Sequence, residues 1–247
     1  MKIPFVKMHG LGNDFIIFDN IDNPTIYDAK FINKISNRRL GIGCDQVMII
    51  ENTEEPENFR VKIYNSDGSE TGACGNGTRC VADYLMKKKD INSLTIKSIS
   101  NDMFCTKIDN SVLVNMGVPK FNWNEIPLSK KQDTQNVKLD EFEAFCLSIG
   151  NPHAVIFMSN LEELENLNIN SIGPRLEKNS IFPEFANIEF VSILQDKSLR
   201  MRVWERGAGM TSACGSGACA SLIAASVLNK SAKENKIVLD GGDLFIK

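Results

Sequence analysis

No Cys-x-x-Cys pair occurs anywhere in this chain of 247 residues, although it holds seven cysteines. The spacing is wrong for a zinc ribbon, and an odd count in a chain this long is wrong for the disulfide framework of a small secreted domain. Reduced thiols are the expectation. An excess of positive charge is missing too: 28 Lys and Arg stand against 31 Asp and Glu, which leaves no basic field to hold nucleic acid. No apolar run reaches the length of a membrane span, and the opening Met1-Lys2-Ile3-Pro4-Phe5-Val6-Lys7 lacks the apolar segment of a secretory signal. A cytoplasmic protein, bound to neither membrane nor nucleic acid, is expected. Hydrophobic content of 43% supplies a globular core, and the length fits two domains of ordinary size.

What the chain does contain, it contains twice. Ala73-Cys74-Gly75-Asn76-Gly77 returns 140 residues later as Ala213-Cys214-Gly215-Ser216-Gly217, and six of the nineteen positions of 59–77 match 199–217 without a gap. Each copy runs from an alternating strand (59–64; 199–204) through a polar turn to Cys-Gly-x-Gly and then a helix of small residues. Each therefore sets a cysteine at a helix N-terminus, where unpaired N–H groups and the positive end of the helix dipole favour an anion. Such placement draws a thiol pKa from about 8.5 towards roughly 3.5–7.5, which makes the sulfur a usable base. The flanking glycines let a substrate carboxylate approach the backbone N–H groups. Two such sites in one chain suggest two thiols serving one substrate from opposite sides.

Around these copies, strands are expected at 3–8 and 14–20 about the turn ending in Asn13, a helix at 28–37, a buried strand at 47–50 entered from Gln46, and three strands at 94–99, 103–108 and 112–116. The second half repeats the plan, with strands at 142–149 and 154–157 about Gly150-Asn151-Pro152-His153, a helix at 171–177, and a strand at 187–194 entered from Asn187. Asn13 lies 61 residues before Cys74 and Asn151 lies 63 before Cys214, which extends the duplication to the whole half. The expected domains are 1–116, carrying Cys74 and joined by the C-terminal strands 236–247, and 117–235, carrying Cys214. Residues 122–140 read as a surface connection.

Weighed against bland alternatives, Cys74 and Cys214 stand out because duplication with both glycines demands a shared geometry. Cys44, Cys80, Cys105, Cys146 and Cys219 fall in strand or helix patterns and read as core. His9 and His153, each in a turn beside a Gly-Asn pair, read as hydrogen-bonding residues, with His153 able to orient a partner. The amides Asn13, Gln46, Asn65, Asn151 and Asn187 read as neutral donors and acceptors suited to a zwitterion. Arg206 can grip a carboxylate with two prongs, and Glu205 can answer an ammonium group.

Together, Met8-His9-Gly10-Leu11-Gly12-Asn13-Asp14-Phe15, Gly68-Ser69, the two Cys-Gly-x-Gly copies, Gly150-Asn151-Pro152-His153 and Trp204-Glu205-Arg206-Gly207-Ala208-Gly209 closely resemble the diaminopimelate epimerase family over nearly the whole chain. The resemblance implies an α/β (α+β) fold of two pseudo-symmetric domains. Each would be a curled, mostly antiparallel sheet around a central helix, with the substrate in the cleft between them, and the usual form would be a homodimer. It implies interconversion of LL- and meso-diaminopimelate, on the route to lysine and peptidoglycan precursors, without pyridoxal phosphate, metal or other cofactor. It assigns catalysis to Cys74 and Cys214, and substrate binding to Asn13, Gln46, Asn65, Asn151, Asn187, Glu205, Arg206 and the backbone at Gly75, Asn76, Gly215 and Ser216. Two departures stand out: Met210 occupies a place where many members carry Glu, and Ser216 one where many carry Thr. The rival readings are a proline or hydroxyproline racemase, which has less use for Arg206 and the many amides, a thiol redox protein and a non-catalytic binding protein.

Overall fold

The computed structural model describes residues 2–72, 74–99 and 101–247; Ala73 of the first motif lies outside them. The chain divides into two units, Met1–Gly117 and Val118–Lys247.

In the first unit the order is β1 (Val6–Gly10), β2 (Asn13–Asp19), α1 (Ala29–Ser36), β3 (Gln46–Asn52), β4 (Asn58–Asn65), β5 (Glu70–Thr71), α2 (Gly75–Lys89), β6 (Ser93–Lys97), β7 (Asp102–Ile108) and β8 (Ser111–Val114). The sheet runs β1-β2-β3-β4-β6-β7-β8, with β5 added to β4. β1 and β8 are its two ends, yet both pack on α2. The sheet must therefore curl around that helix. Its core joins Phe15, Ile17 and Met48 of the strands to Val81, Ala82 and Leu85 of α2. Helix and sheet meet closely at Gly77, where an added Cβ would lie 1.8 Å from Met48 Cε and 3.2 Å from Phe15 Cε1.

The second unit holds β9 (Val137–Leu139), β10 (Phe142–Ser148), β11 (Pro152–Phe157), α3 (Leu161–Asn166), α4 (Ile169–Glu177), β12 (Asn187–Ile193), β13 (Leu199–Glu205), β14 (Gly209–Thr211), α5 (Gly215–Val227), β15 (Asn235–Leu239) and β16 (Gly242–Ile246). Its sheet runs β9-β10-β11-β12-β13-β15-β16, with β14 added to β13. The direction of each matched pair is the same as in the first unit: β10–β11 antiparallel as β1–β2, β11–β12 parallel as β2–β3, β12–β13 antiparallel as β3–β4, and β13–β15 parallel as β4–β6. The unit curls as the first does, because β10 and β16 both touch α5. The small residues of α5, Ala218, Ala220, Ala224 and Ala225, let strands close in around it, and all four are fully buried.

Two expectations need correction. The C-terminal strands do not return to the first unit: β15 pairs with β13 and β16 with β15, as the counterparts of β6 and β7. The strands without a counterpart are β8 and β9. Residues 122–140 are not a mere surface connection either, since Ile126, Leu128, Val137 and Leu139 are buried in the second core. Their polar neighbours masked four anchors. Among the described residues no helix is long and apolar enough to cross a membrane.

Candidate active site

Each unit presents one cysteine in the same way. Cys74 is the N-cap of α2 and Cys214 the N-cap of α5, both with extended backbones, and in each case the sulfur accepts from the N–H three residues on, Gly77 or Gly217, at 3.4 Å. Side chains normally cap with oxygen. A sulfur doing the same work lies in the field of the helix end, which favours its thiolate.

Around Cys74, half-buried, the amides gather. Its Sγ lies 3.8 Å from Asn13 Oδ1, to which Asn76 Nδ2 also donates at 3.4 Å. Asn13 Nδ2 in turn donates to Asp45 Oδ2 at 2.9 Å. Nearby on the same sheet, Gln46 Nε2 donates to Asn65 Oδ1 at 3.0 Å, and Asn65 Nδ2 to Ser69 Oγ at 3.2 Å. Cross-strand register explains the pair, because Gln46 lies opposite Asn65 on β3 and β4.

Around Cys214 the surroundings are ionisable. Cys214 is 4% exposed, and its sulfur lies 3.5 Å from Ser216 Oγ. Burial pushes its thiol pKa well up, and the nearby carboxylates of Glu205 and Glu189 push it further. Burial also raises the Glu205 carboxyl, against the hydrogen bonds it makes with Thr211 and the Cys214 thiol. Glu189 Oε1 accepts from His153 Nδ1 at 2.7 Å, both side chains fully buried, and His153 Nε2 reaches Asn151 Oδ1 at 3.0 Å. His153 is therefore not a turn residue as expected but part of β11, facing Asn187 on β12.

The two units differ at one matched pair of positions beneath their central helices. By register, Phe15 and Met48 beneath α2 correspond to His153 and Glu189 beneath α5. Gly217 packs against Glu189, and a Cβ there would lie 2.8 Å from Glu189 Oε1 and 3.3 Å from Cys214 Sγ. The apolar floor under one cysteine is a hydrogen-bonded His–Glu floor under the other.

The remaining expected residues fall as follows. Asn187, 3% exposed, braces the chain, with Nδ2 on the Pro152 carbonyl and Oδ1 accepting from Arg206 N. The Arg206 side chain is exposed and donates to the Glu184 carbonyl at 3.1 Å. His9 is exposed. Cys44, Cys80, Cys105 and Cys146 are buried and none of the seven cysteines is in a disulfide; burial pushes Cys80 up to about 11 and Cys105 to about 12, which makes them inert.

Four contributors were not read from the sequence: Asp45, Arg38, Glu177 and Glu189. A signal existed for Glu189, a lone carboxylate inside the apolar strand Ile188-Glu189-Phe190-Val191, since a buried charge demands a partner. Glu177 of α4 accepts from Trp204 Nε1 at 2.7 Å and Gly207 N at 2.9 Å, and so pins the turn that carries Arg206. Trp204 also closes on Gly173, where a Cβ would fall 2.4 Å from the indole. A rigid ring between helix and strand cannot yield cheaply. Gly173→Ala should cost about 1–3 kcal/mol of stability by overpacking and loosen the Arg206 turn, as read by urea denaturation and by a raised KM.

Comparison with known proteins now bears on this arrangement. A family model described as diaminopimelate epimerase matches residues 5–122 and 145–247. The chain belongs to the diaminopimelate epimerase family. The protein of that name from Acidiphilium cryptum is 43% identical over 249 residues, covering 98% of this chain and 88% of its own length. The one from Rhodospirillum centenum is 41% identical over 248 residues, covering 98% and 84%. Among solved structures, a PhzF-family phenazine biosynthesis protein of Bacillus anthracis aligns with a TM-score of 0.69 at 15% identity, over 99% of this chain and 90% of its own. A probable proline racemase of Agrobacterium radiobacter aligns at 0.66 with 16% identity, over 98% and 83%. These two share the fold. With full-length relatives that are epimerases, the chain is an isomerase.

Proposed function

We propose that this isomerase interconverts LL- and meso-diaminopimelate without a cofactor, Cys74 and Cys214 acting as thiolate and thiol on opposite faces of one α-carbon. The supporting observation is the repeated cap: in a member of this family, both halves place a cysteine sulfur on the first turn of a helix, 3.4 Å from the N–H of a glycine. One sulfur takes the α-hydrogen as a proton. The electron pair of the broken C–H bond stays on carbon and spreads into the adjoining carboxylate. The opposite thiol then gives its proton to the other face, so the two sulfurs finish with their protonation states exchanged and ready for the reverse isomer. Cys214, enclosed and beside two carboxylates, starts as the thiol; half-buried Cys74 is the readier base.

The difficult species is the carbanion, whose carboxylate needs fixed donors. Backbone N–H groups at Gly75, Asn76, Gly215 and Ser216, together with two helix dipoles, supply them. Asn13, Asn151 and Glu205 serve the reacting aminocarboxylate. Asn65, Asn187 and Arg206 serve the distal one, with Gln46 held against Asn65 and Asn187 also bracing the Arg206 backbone. His153 supports Cys214 through Asn151 and Glu189. On this reading the enzyme works in the cytoplasm as a homodimer and supplies lysine and peptidoglycan precursors.

The test is isotopic. Starting from pure LL-diaminopimelate in heavy water, the first meso product should carry deuterium at the inverted carbon, while unreacted LL substrate stays mostly protiated at early times. Early meso product that retained its original α-hydrogen would indicate a single base and overturn the paired-thiol reading. A proline substrate turned over in place of diaminopimelate would favour the racemase alternative.

A further inference from the structure

An asparagine amide has two faces of opposite meaning, an oxygen that accepts and a nitrogen that donates. Which face meets a ligand depends on what holds the other. Asn13 is clamped by its nitrogen: Nδ2 donates to Asp45 Oδ2, the same oxygen that accepts from Asp14 N at 3.1 Å. Asp45 is itself pinned, with Arg38 donating to its Oδ1 at 2.7 Å and to both oxygens of Asp14 at 2.7 and 3.0 Å. Asp45 N closes the ring on Asp14 Oδ1 at 2.9 Å. Burial opposes ionisation of Asp14, but hydrogen bonds from Arg38 and Lys7 outweigh it and hold that carboxyl well below its usual range, so the ring stays charged.

The second unit lacks every part of this clamp. At the register of Asp45 and Asp14 it has Ala186 and Pro152, the latter without an N–H to give. There Asn151 meets an imidazole in place of a carboxylate, with His153 Nε2 at 3.0 Å. In the first unit the oxygen is turned to the helix start, beside Cys74 and Asn76.

We propose that Asp45, braced by Arg38, is a positioning residue that keeps the Asn13 oxygen turned towards the Cys74 helix start, so that this half reads the ammonium group of the substrate. An amide oxygen accepts from an ammonium, whereas a turned amide would set its N–H groups against it. Asp45 never touches substrate. The inference rests on the proposed function for the identity of the ammonium donor, and deepens it.

The experiment is a double-mutant cycle on the full-length protein with diaminopimelate as substrate. Asp45→Ala frees the Asn13 amide, and KM should rise about tenfold, the equivalent of one lost hydrogen bond, with a much smaller change in kcat. Arg38→Met, which leaves the carboxylate but unpins it, should move KM the same way by less. Asn13→Asp shows an oxygen whichever way it turns. In the parent it sets two carboxylates together and should raise KM, but in the Asp45→Ala background it should lower KM, and that reversal of sign is what a merely structural Asp45 would not produce. KM within twofold of the parent in a folded Asp45→Ala protein, or an Asn13→Asp effect of the same sign in both backgrounds, would overturn the positioning role. A parent protein inactive on diaminopimelate would instead overturn the proposed function.

Discussion

Replacing either Cys74 or Cys214 by alanine should abolish net inversion, with kcat falling by about 10²–10⁴ or more, the range associated with losing one positioned acid or base. Each variant leaves one face of the α-carbon without a proton carrier. The loss should nonetheless be one-sided in its isotope behaviour. The surviving cysteine can still remove and return a proton on its own face, so each variant should wash deuterium into one isomer only, the Cys74→Ala and Cys214→Ala proteins choosing opposite isomers. Proton NMR of LL- and meso-diaminopimelate incubated separately in heavy water reads both outcomes. A Cys214→Ala protein that epimerised at the parent rate would remove the second thiol from the reaction. One that exchanged both isomers equally would show that the remaining cysteine reaches both faces.

The features legible in the sequence were those set by spacing. Duplicated Cys-Gly-x-Gly copies after alternating strands gave both N-capped helices, because a strand, a polar turn and a run of small residues leave few other local solutions, and α2 and α5 begin just after the two cysteines. Gln46 and Asn187 read as matched strand entries, and each is the first residue of its strand. What escaped was whatever long-range pairing decides. Val137-Lys138-Leu139 is too short to announce a strand, and it becomes β9 only because β10 is there to pair with it. The sequence puts three strands after the first helix and two after the second, and nothing local says that β8 is the unmatched one.

The site follows the same rule. The sulfurs and amides are legible in the sequence; their orientation is not. Asp45 reads as one residue of a Gly-rich turn, and only the fold brings it from 32 positions away onto Asn13. His153 reads as a turn residue beside Gly150 and Asn151, yet the strand begins at Pro152 and draws the imidazole inside, where it meets Glu189. A duplicated sequence suggests equal halves. The structure shows matched central strands with unequal floors, Phe15 and Met48 against His153 and Glu189.

That inequality can be tested by making the halves alike. His153→Phe alone copies Phe15 into the second unit but strands Glu189, a fully buried carboxylate whose Oε2 has no hydrogen-bond partner among the described residues and whose Oε1 is held by His153. Removing one member of a buried pair typically costs about 3–5 kcal/mol, because the other is left uncompensated. The single variant should therefore unfold at markedly lower urea. Adding Glu189→Met completes the apolar floor of the first unit, and replacing both members of such a pair by packed apolar residues is often neutral or stabilising. The double variant should regain most of the lost stability. It should not regain activity: Asn151 loses the contact at its oxygen, and Cys214 loses one of the two carboxylates that hold its pKa up, so its thiol should be alkylated at lower pH than in the parent although burial and Glu205 still oppose its ionisation. Urea midpoints, kcat and the pH profile of Cys214 alkylation separate the two roles. A single variant as stable as the parent would mean that the buried pair is not coupled, and a stable double variant with parental kcat would mean that the His–Glu floor supports the fold alone.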